Sequence, residues 1–209
     1  MEGTSDPLLF LAIVAFISLS GVIMPGPIFA TTVAKGYQDP RAGLKISAGH
    51  AVVEIPLIVA IFIGFEAVLK DPSVFAAIGI IGGAFLLYFG ISMFRTKMEG
   101  EQVQGSKLGP FAAGIALTAV NPYFLLWWAT VGASLIGIAS EYGLIMLPVF
   151  VAVHLACDLG WLQFISFSVN RSRNFLTGRR YRILFAGCGT VLVFFALYFI
   201  VSSIGGLFA

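Results

Sequence analysis

Long apolar runs separated by short polar connections set the pattern of this chain. Six runs stand out, near Leu8–Ala34, Ile46–Leu69, Val74–Phe94, Phe111–Ile138, Leu144–Val169 and Ile183–Ser203. Each reaches the roughly 20 residues that cross about 30 Å of hydrocarbon at 1.5 Å per residue. Their apolar positions are continuous and do not alternate, which argues against a β-barrel. A backbone with no water around it satisfies its polar groups internally, and within one run only a helix does that. The pattern predicts an all-α, polytopic membrane protein of six transmembrane helices in a single domain, residues 1–209.

Polar residues inside these runs are few, and they repeat. His50 is followed four positions later by Glu54, and His154 four positions later by Asp158. Residues four apart share a helix face. An ionised carboxylate at the bilayer centre costs roughly 2.5–3.5 kcal/mol on insertion scales, so buried acids of this kind are functional candidates. One pair falls in the second run of the first half and the other in the second run of the second half.

Three helices per half is an odd number, so the halves cross the membrane in opposite senses. The expectation is two inverted three-helix repeats, about 8–94 and 111–205, joined by a loop at 95–110. Mirrored depth then stacks the groups in the order His50, Glu54, Asp158, His154. The carboxylates flank the midplane and the histidines stand at opposite ends.

Composition agrees. The chain is 59% hydrophobic and 11% charged, against about 45–50% and about 25% in soluble domains. Mean hydropathy is +0.99. The basic residues are topological markers. Lys35, Arg41 and Lys45, then Arg95, Lys97 and Lys107, then Arg171, Arg173, Arg179, Arg180 and Arg182 all fall on one side, and only Lys70 falls on the other. The positive-inside rule makes that side cytoplasmic and puts both termini outside. Anionic lipid headgroups account for the arginines, so no nucleic-acid partner is expected. The segment before the first run carries Glu2 and Asp6 and no basic residue, unlike a signal peptide. Cys157 and Cys188 lie in separate helices and read as packing residues.

Two runs are interrupted. Pro25-Gly26-Pro27 removes two amide donors inside the first. Asn121-Pro122 interrupts the fourth, with a strong N-cap followed by the residue favoured at the first helical position. Helices 1 and 4 are therefore expected to be broken, with restarted ends that offer free amides and partial positive charge near the midplane. Pro25 comes late in its run and Asn121 early in its own, so both breaks fall toward the cytoplasmic side, which the mirror does not explain. Pro56, just after Glu54, predicts a kink. Gly79-x-x-x-Gly83, with Gly82, allows close helix packing and permits a homodimer. The glycines between Gly36 and Gly49 suit a tight, mobile connection.

The proline motif in helix 1, the glycine-rich basic loop from Lys35-Gly36 through Arg41-Ala42-Gly43 to Gly49, and Asn121-Pro122 in helix 4 together resemble the lysine exporter (LysE/RhtB) superfamily. The resemblance implies an inner-membrane secondary transporter that exports amino acids or related metabolites, driven by protons, with no cofactor. The two His/acid pairs are more polar than is usual in the amino-acid branch of that superfamily, and for an exporter the residues of this chain make Glu54, Asp158, Asn121, Pro25, Gly26 and Pro27 the expected substrate-binding set. The substrate carboxylate rests on the helix end at Asn121, aided by the backbone after Pro27, and its ammonium faces Glu54 and Asp158. His50, His154, Glu54 and Asp158 relay protons, and one three-helix unit rocks against the other. The alternative is a divalent-cation exporter that uses His50, Glu54, His154 and Asp158 as ligands. Its difficulty is the expected separation of the two histidines. An intramembrane enzyme is the weakest reading, because no nucleophile stands at an expected spacing from the His/acid pairs.

Overall fold

The computed structural model describes residues 6–24, 26–65, 68, 71–95, 98–99, 102–103, 108–175 and 178–207. Helix α1 spans Pro7–Val22 and α2 spans Pro27–Gly36, with a 77° bend between them. Helix α3, Ala42–Ala60, runs through Pro56 into a π-helical turn at Ile61–Phe65, where Gly64 takes a φ of 101°. Helix α4 is Pro72–Arg95. Two short strands, β1 (Met98–Glu99) and β2 (Gln102–Val103), pair antiparallel beyond it. Next come α5 (Pro110–Ala119), α6 (Pro122–Trp127), a π-helical turn (Trp128–Gly132) and α7 (Ala133–Glu141). Helices α8, Met146–Arg171, and α9, Gly178–Leu207, complete the chain.

Among the described residues, five helices are long and apolar enough to cross a membrane, and there are six spans when the bent pair α1–α2 is taken as one. Proline sets many of the starts: α1, α2, α4, α5 and α6 all begin on one. Its fixed φ suits the first helical position, and the amide it lacks has no partner there in any case. The fourth run departs from expectation in proportion. Its second piece, Pro122–Glu141, is long enough to span by itself, and α5 is a short apolar helix ahead of it. Large apolar side chains such as Phe16, Ile81, Phe194 and Val201 stand exposed on the outer faces, where lipid is the solvent.

The helices do not pack as two separate triplets. Helix α3 lies between α5 and α8, α1 lies along α8, and α4 pairs along its length with α9. Exchanging the first, second and third spans with the fourth, fifth and sixth leaves this pattern unchanged. The α4–α9 pair touches the remaining helices lightly, chiefly at α2 and α6.

Glycines permit these approaches. A Cβ at Gly79 would strike Ser203, and at Gly83 the Ile200 side chain. The stripe that permitted a homodimer is therefore occupied by α9 of the same chain. Gly43 faces the Leu162 carbonyl, Gly49 the Phe111 carbonyl and Gly114 the Ile46 carbonyl. The reading of Gly36 to Gly49 as a mobile connection is corrected. Gly43 and Gly49 lie within α3, and bare backbone there lets α8 and α5 close on it.

Side-chain caps cross between helices as well. Arg41, the N-cap of α3, offers no side-chain cap. Instead α8 supplies acceptors: the Gly43 amide donates to Ser166 Oγ (3.0 Å) and the Leu44 amide to Gln163 Oε1 (3.2 Å).

Candidate functional site

Helices α3 and α8 present their polar pairs at matching heights. His50 stands eight residues after Ala42, the start of α3, and His154 stands eight residues after Met146, the start of α8. Where the two helices cross, all four groups meet. Glu54 is 1% exposed, His154 3%, Asp158 4% and His50 7%.

One oxygen is the hub. Glu54 Oε1 lies 3.1 Å from His50 Nε2 and 3.1 Å from His154 Nε2, and accepts the indole N–H of Trp128 at 3.1 Å. Asp158 Oδ2 lies 3.7 Å from His50 Nε2 and 3.5 Å from His154 Nε2. The expected stacking is corrected: the histidines converge on one carboxylate oxygen and do not stand at opposite ends. Sequence spacing gives depth along each helix, but lateral approach depends on how the two helices cross. Glu54 Oε2 and Asp158 Oδ2 are buried with no hydrogen-bond partner.

Each histidine is held from behind by a hydroxyl of the opposite half. His50 Nδ1 lies 2.8 Å from Thr118 Oγ1 at the end of α5, and His154 Nδ1 lies 2.8 Å from Ser18 Oγ near the end of α1. Both hydroxyls stand just before the break in their span. The Thr118 hydroxyl donates to the Gly114 carbonyl at 2.6 Å, so it receives a hydrogen from His50 Nδ1. His50 Nε2 is then the nitrogen that faces Glu54. A neutral ring would turn a lone pair toward the carboxylate oxygen. The contact is attractive only with a proton between them, on one partner or the other.

Sequence reasoning missed Trp128, Ser18 and Thr118. A tryptophan in an apolar run looks like packing. The hydroxyls carried one usable signal, their place ahead of the two helix breaks.

A cavity of about 110 Å³ opens against this cluster, several times the 10–15 Å³ that one water needs. Its wall includes Gly26, Pro27 and Asn121, so both breaks reach it. Asn121 Oδ1 accepts the Tyr123 amide at 3.1 Å, which caps its own helix and uses one of the donors expected to face a substrate. The first turn of α2 carries no side-chain cap, because its N-cap is Gly26. Pro25 lies outside the described residues.

The LysE type translocator family matches residues 19–203. The chain belongs to that family. Among its relatives is a Bacillus subtilis (strain 168) protein named "Putative amino acid efflux protein YcgF", 26% identical over 90% of this chain and 92% of its own length. The chemotactic transduction protein ChpE of Pseudomonas aeruginosa is 23% identical over 82% of this chain and 87% of its own length. An uncharacterized membrane protein of the same organism is 25% identical over 70% and 73%. No solved structure matches. This LysE translocator is thus a polytopic membrane transporter whose buried His/acid cluster borders a cavity reached by both of its broken spans.

Proposed function

We propose that this translocator exports amino acids or similar small amine-bearing metabolites across the cell membrane in exchange for protons. The basic loops face the cytoplasm and both termini lie outside. The observation that carries the reading is the meeting of two imidazoles on Glu54 Oε1, beside an Asp158 oxygen with no hydrogen-bond partner, at a cavity wall. Two buried carboxylates that share two imidazoles call for a further cation when the rings are neutral. A substrate ammonium supplies one charge, and protons supply it after release. The name of the B. subtilis relative, which says amino acid efflux, points the same way.

The cluster offers the protons a path. Each histidine bridges Glu54 and Asp158 through Nε2 and leans on a hydroxyl through Nδ1. When Glu54 and Asp158 are protonated they hold an ammonium weakly, and the substrate leaves. When they lose their protons the cation site returns. Histidine is suited to such transfers near neutral pH.

Rocking of one triplet against the other would open the α4–α9 pair, the most extensive helix contact among the described residues, together with the contacts of α3 with α5 and α8. The cheaper division separates the α4–α9 pair from the four remaining spans. The cavity lies on that seam, because Leu86 of α4 and Leu192 and Phe195 of α9 complete its wall.

Proteoliposomes loaded with labelled amino acids and given a pH gradient test the proposal. Gradient-dependent efflux of at least one amino acid is expected, and gradient-independent leakage of every one tried contradicts it. A second reading, a divalent cation as cargo, draws on the donor atoms of His50, Glu54 and Asp158, which lie within 4.8 Å of one another. Calorimetric titration of the purified protein with zinc and manganese separates it from the first.

A further inference from the structure

The cavity has three chemically distinct parts. One is the carboxylate cluster. Asp158, 4% exposed, lines the cavity and leaves Oδ2 without a hydrogen-bond partner. The second is the first turn of α2, where Gly26 through Phe29 line the wall and no side chain caps the helix. Pro27 has no amide hydrogen, so the first-turn donors are the Ile28 and Phe29 amides, at the positive end of the helix dipole. The third is an apolar wall of Leu86, Leu192, Phe195 and Phe124. Among the described residues of the lining there is no lysine or arginine, and no carboxylate other than Glu54 and Asp158.

We infer that this site selects neutral α-amino acids with an apolar side chain, seating the ammonium on Asp158 and Glu54, the carboxylate on the uncapped start of α2, and the side chain on the Leu86–Leu192–Phe195 wall. This rests on the exporter reading and narrows it. A zwitterion matches both polar ends, and the Leu86–Leu192–Phe195 wall beyond them offers its side chain apolar contact, with Tyr123 and Trp127 also in the lining. Lysine would press a second ammonium against leucine and phenylalanine with no partner. Glutamate would do the same with a second carboxylate. Burial of an unpaired charge is strongly unfavourable, whereas an apolar side chain gains from leaving water. The α2 seat takes the carboxylate role in place of the α6 start, where the Asn121 side chain already occupies the Tyr123 amide.

The test is a counterflow panel on the reconstituted wild-type protein. Vesicles hold an unlabelled mixture of leucine, phenylalanine, lysine and glutamate, and exchange is followed for external labelled leucine, phenylalanine, lysine, glutamate and isoamylamine, the last being leucine's decarboxylated analogue. Leucine and phenylalanine are expected to exchange, with lysine and glutamate slower by at least about tenfold and isoamylamine similarly weak. Lysine exchanging as fast as leucine overturns the apolar selectivity and leaves amino-acid export standing. Isoamylamine exchanging as fast as leucine overturns the carboxylate seat. No exchange of any amino acid overturns the exporter reading itself. F195E, checked for monodisperse elution, is expected to raise lysine exchange relative to leucine. A folded F195E with an unchanged ratio removes Phe195 from the selecting wall, and the wild-type panel decides the rest without it.

Discussion

An imidazole with one nitrogen committed has one left for chemistry. Thr118 commits His50 Nδ1, because its own hydrogen is spent on the Gly114 carbonyl. T118V keeps the volume and removes the acceptor. Transport is expected to fall by about tenfold or more, as for other groups that orient a functional histidine. Its pH profile should change shape, and thermal stability should change far less. Measured rates across a pH series check this, and a profile parallel to wild type would reduce Thr118 to packing. At this scale the chain's text was partly readable. The i,i+4 spacing put His50 with Glu54 and His154 with Asp158. It could not show that Glu54 Oε1 receives both rings and the Trp128 indole, because a long-range crossing leaves no trace in local spacing.

Elements are locked to one another by bare backbone and borrowed caps. The α3 start depends on Ser166 and Gln163 of α8, and α3 meets α5 where Gly114 faces the Ile46 carbonyl. S166A should cost about 1 kcal/mol, the usual value of a lost N-cap. G114A should cost more, about 1–3 kcal/mol, because the added methyl meets backbone that cannot swing aside. Thermal unfolding in detergent ranks the two, and the reverse order would contradict the packing account. Asp39, in the loop between α2 and α3, accepts a hydrogen bond from Lys45 Nζ of α3 at 2.8 Å, and this hydrogen bond holds the Asp39 carboxyl below its ordinary value. The folded value is the depressed one. The pair's contribution is therefore full above about pH 4 and fades as acid protonates Asp39. The pair is solvent-exposed, so D39N should cost less than about 1 kcal/mol at neutral pH. A loss of several kcal/mol on the same unfolding assay would contradict that. Helix ends were legible wherever proline or Asn-Pro marked them. The role of Gly43 and Gly49 was not, since a glycine reads the same in a hinge and in a close helix crossing.

The whole molecule divides differently from its sequence. The halves are related by exchange of spans, yet they interlock, and the free seam runs between the α4–α9 pair and the rest. Cysteines replacing Tyr37 and Tyr181, whose rings are 6.4 Å apart across that seam, should arrest transport when bridged by a short thiol cross-linker. Cysteines replacing Leu44 and Gln163, in contact within the four-span group but in opposite halves, should leave it largely intact. The opposite outcome would favour triplet rocking. Six spans and a membrane solvent were evident from run length alone. The seam was not, because packing between distant helices is written in small residues that composition does not single out.

The central claim is that protons and substrate share the Glu54–Asp158 pair. Its most direct measurement is the pH change inside reconstituted vesicles when substrate is added at zero initial gradient. Wild type should move protons opposite to substrate. E54Q and D158N, correctly folded, should each lose that proton movement. Unaltered proton movement in both variants, or substrate flux in wild type with no accompanying proton, contradicts the account.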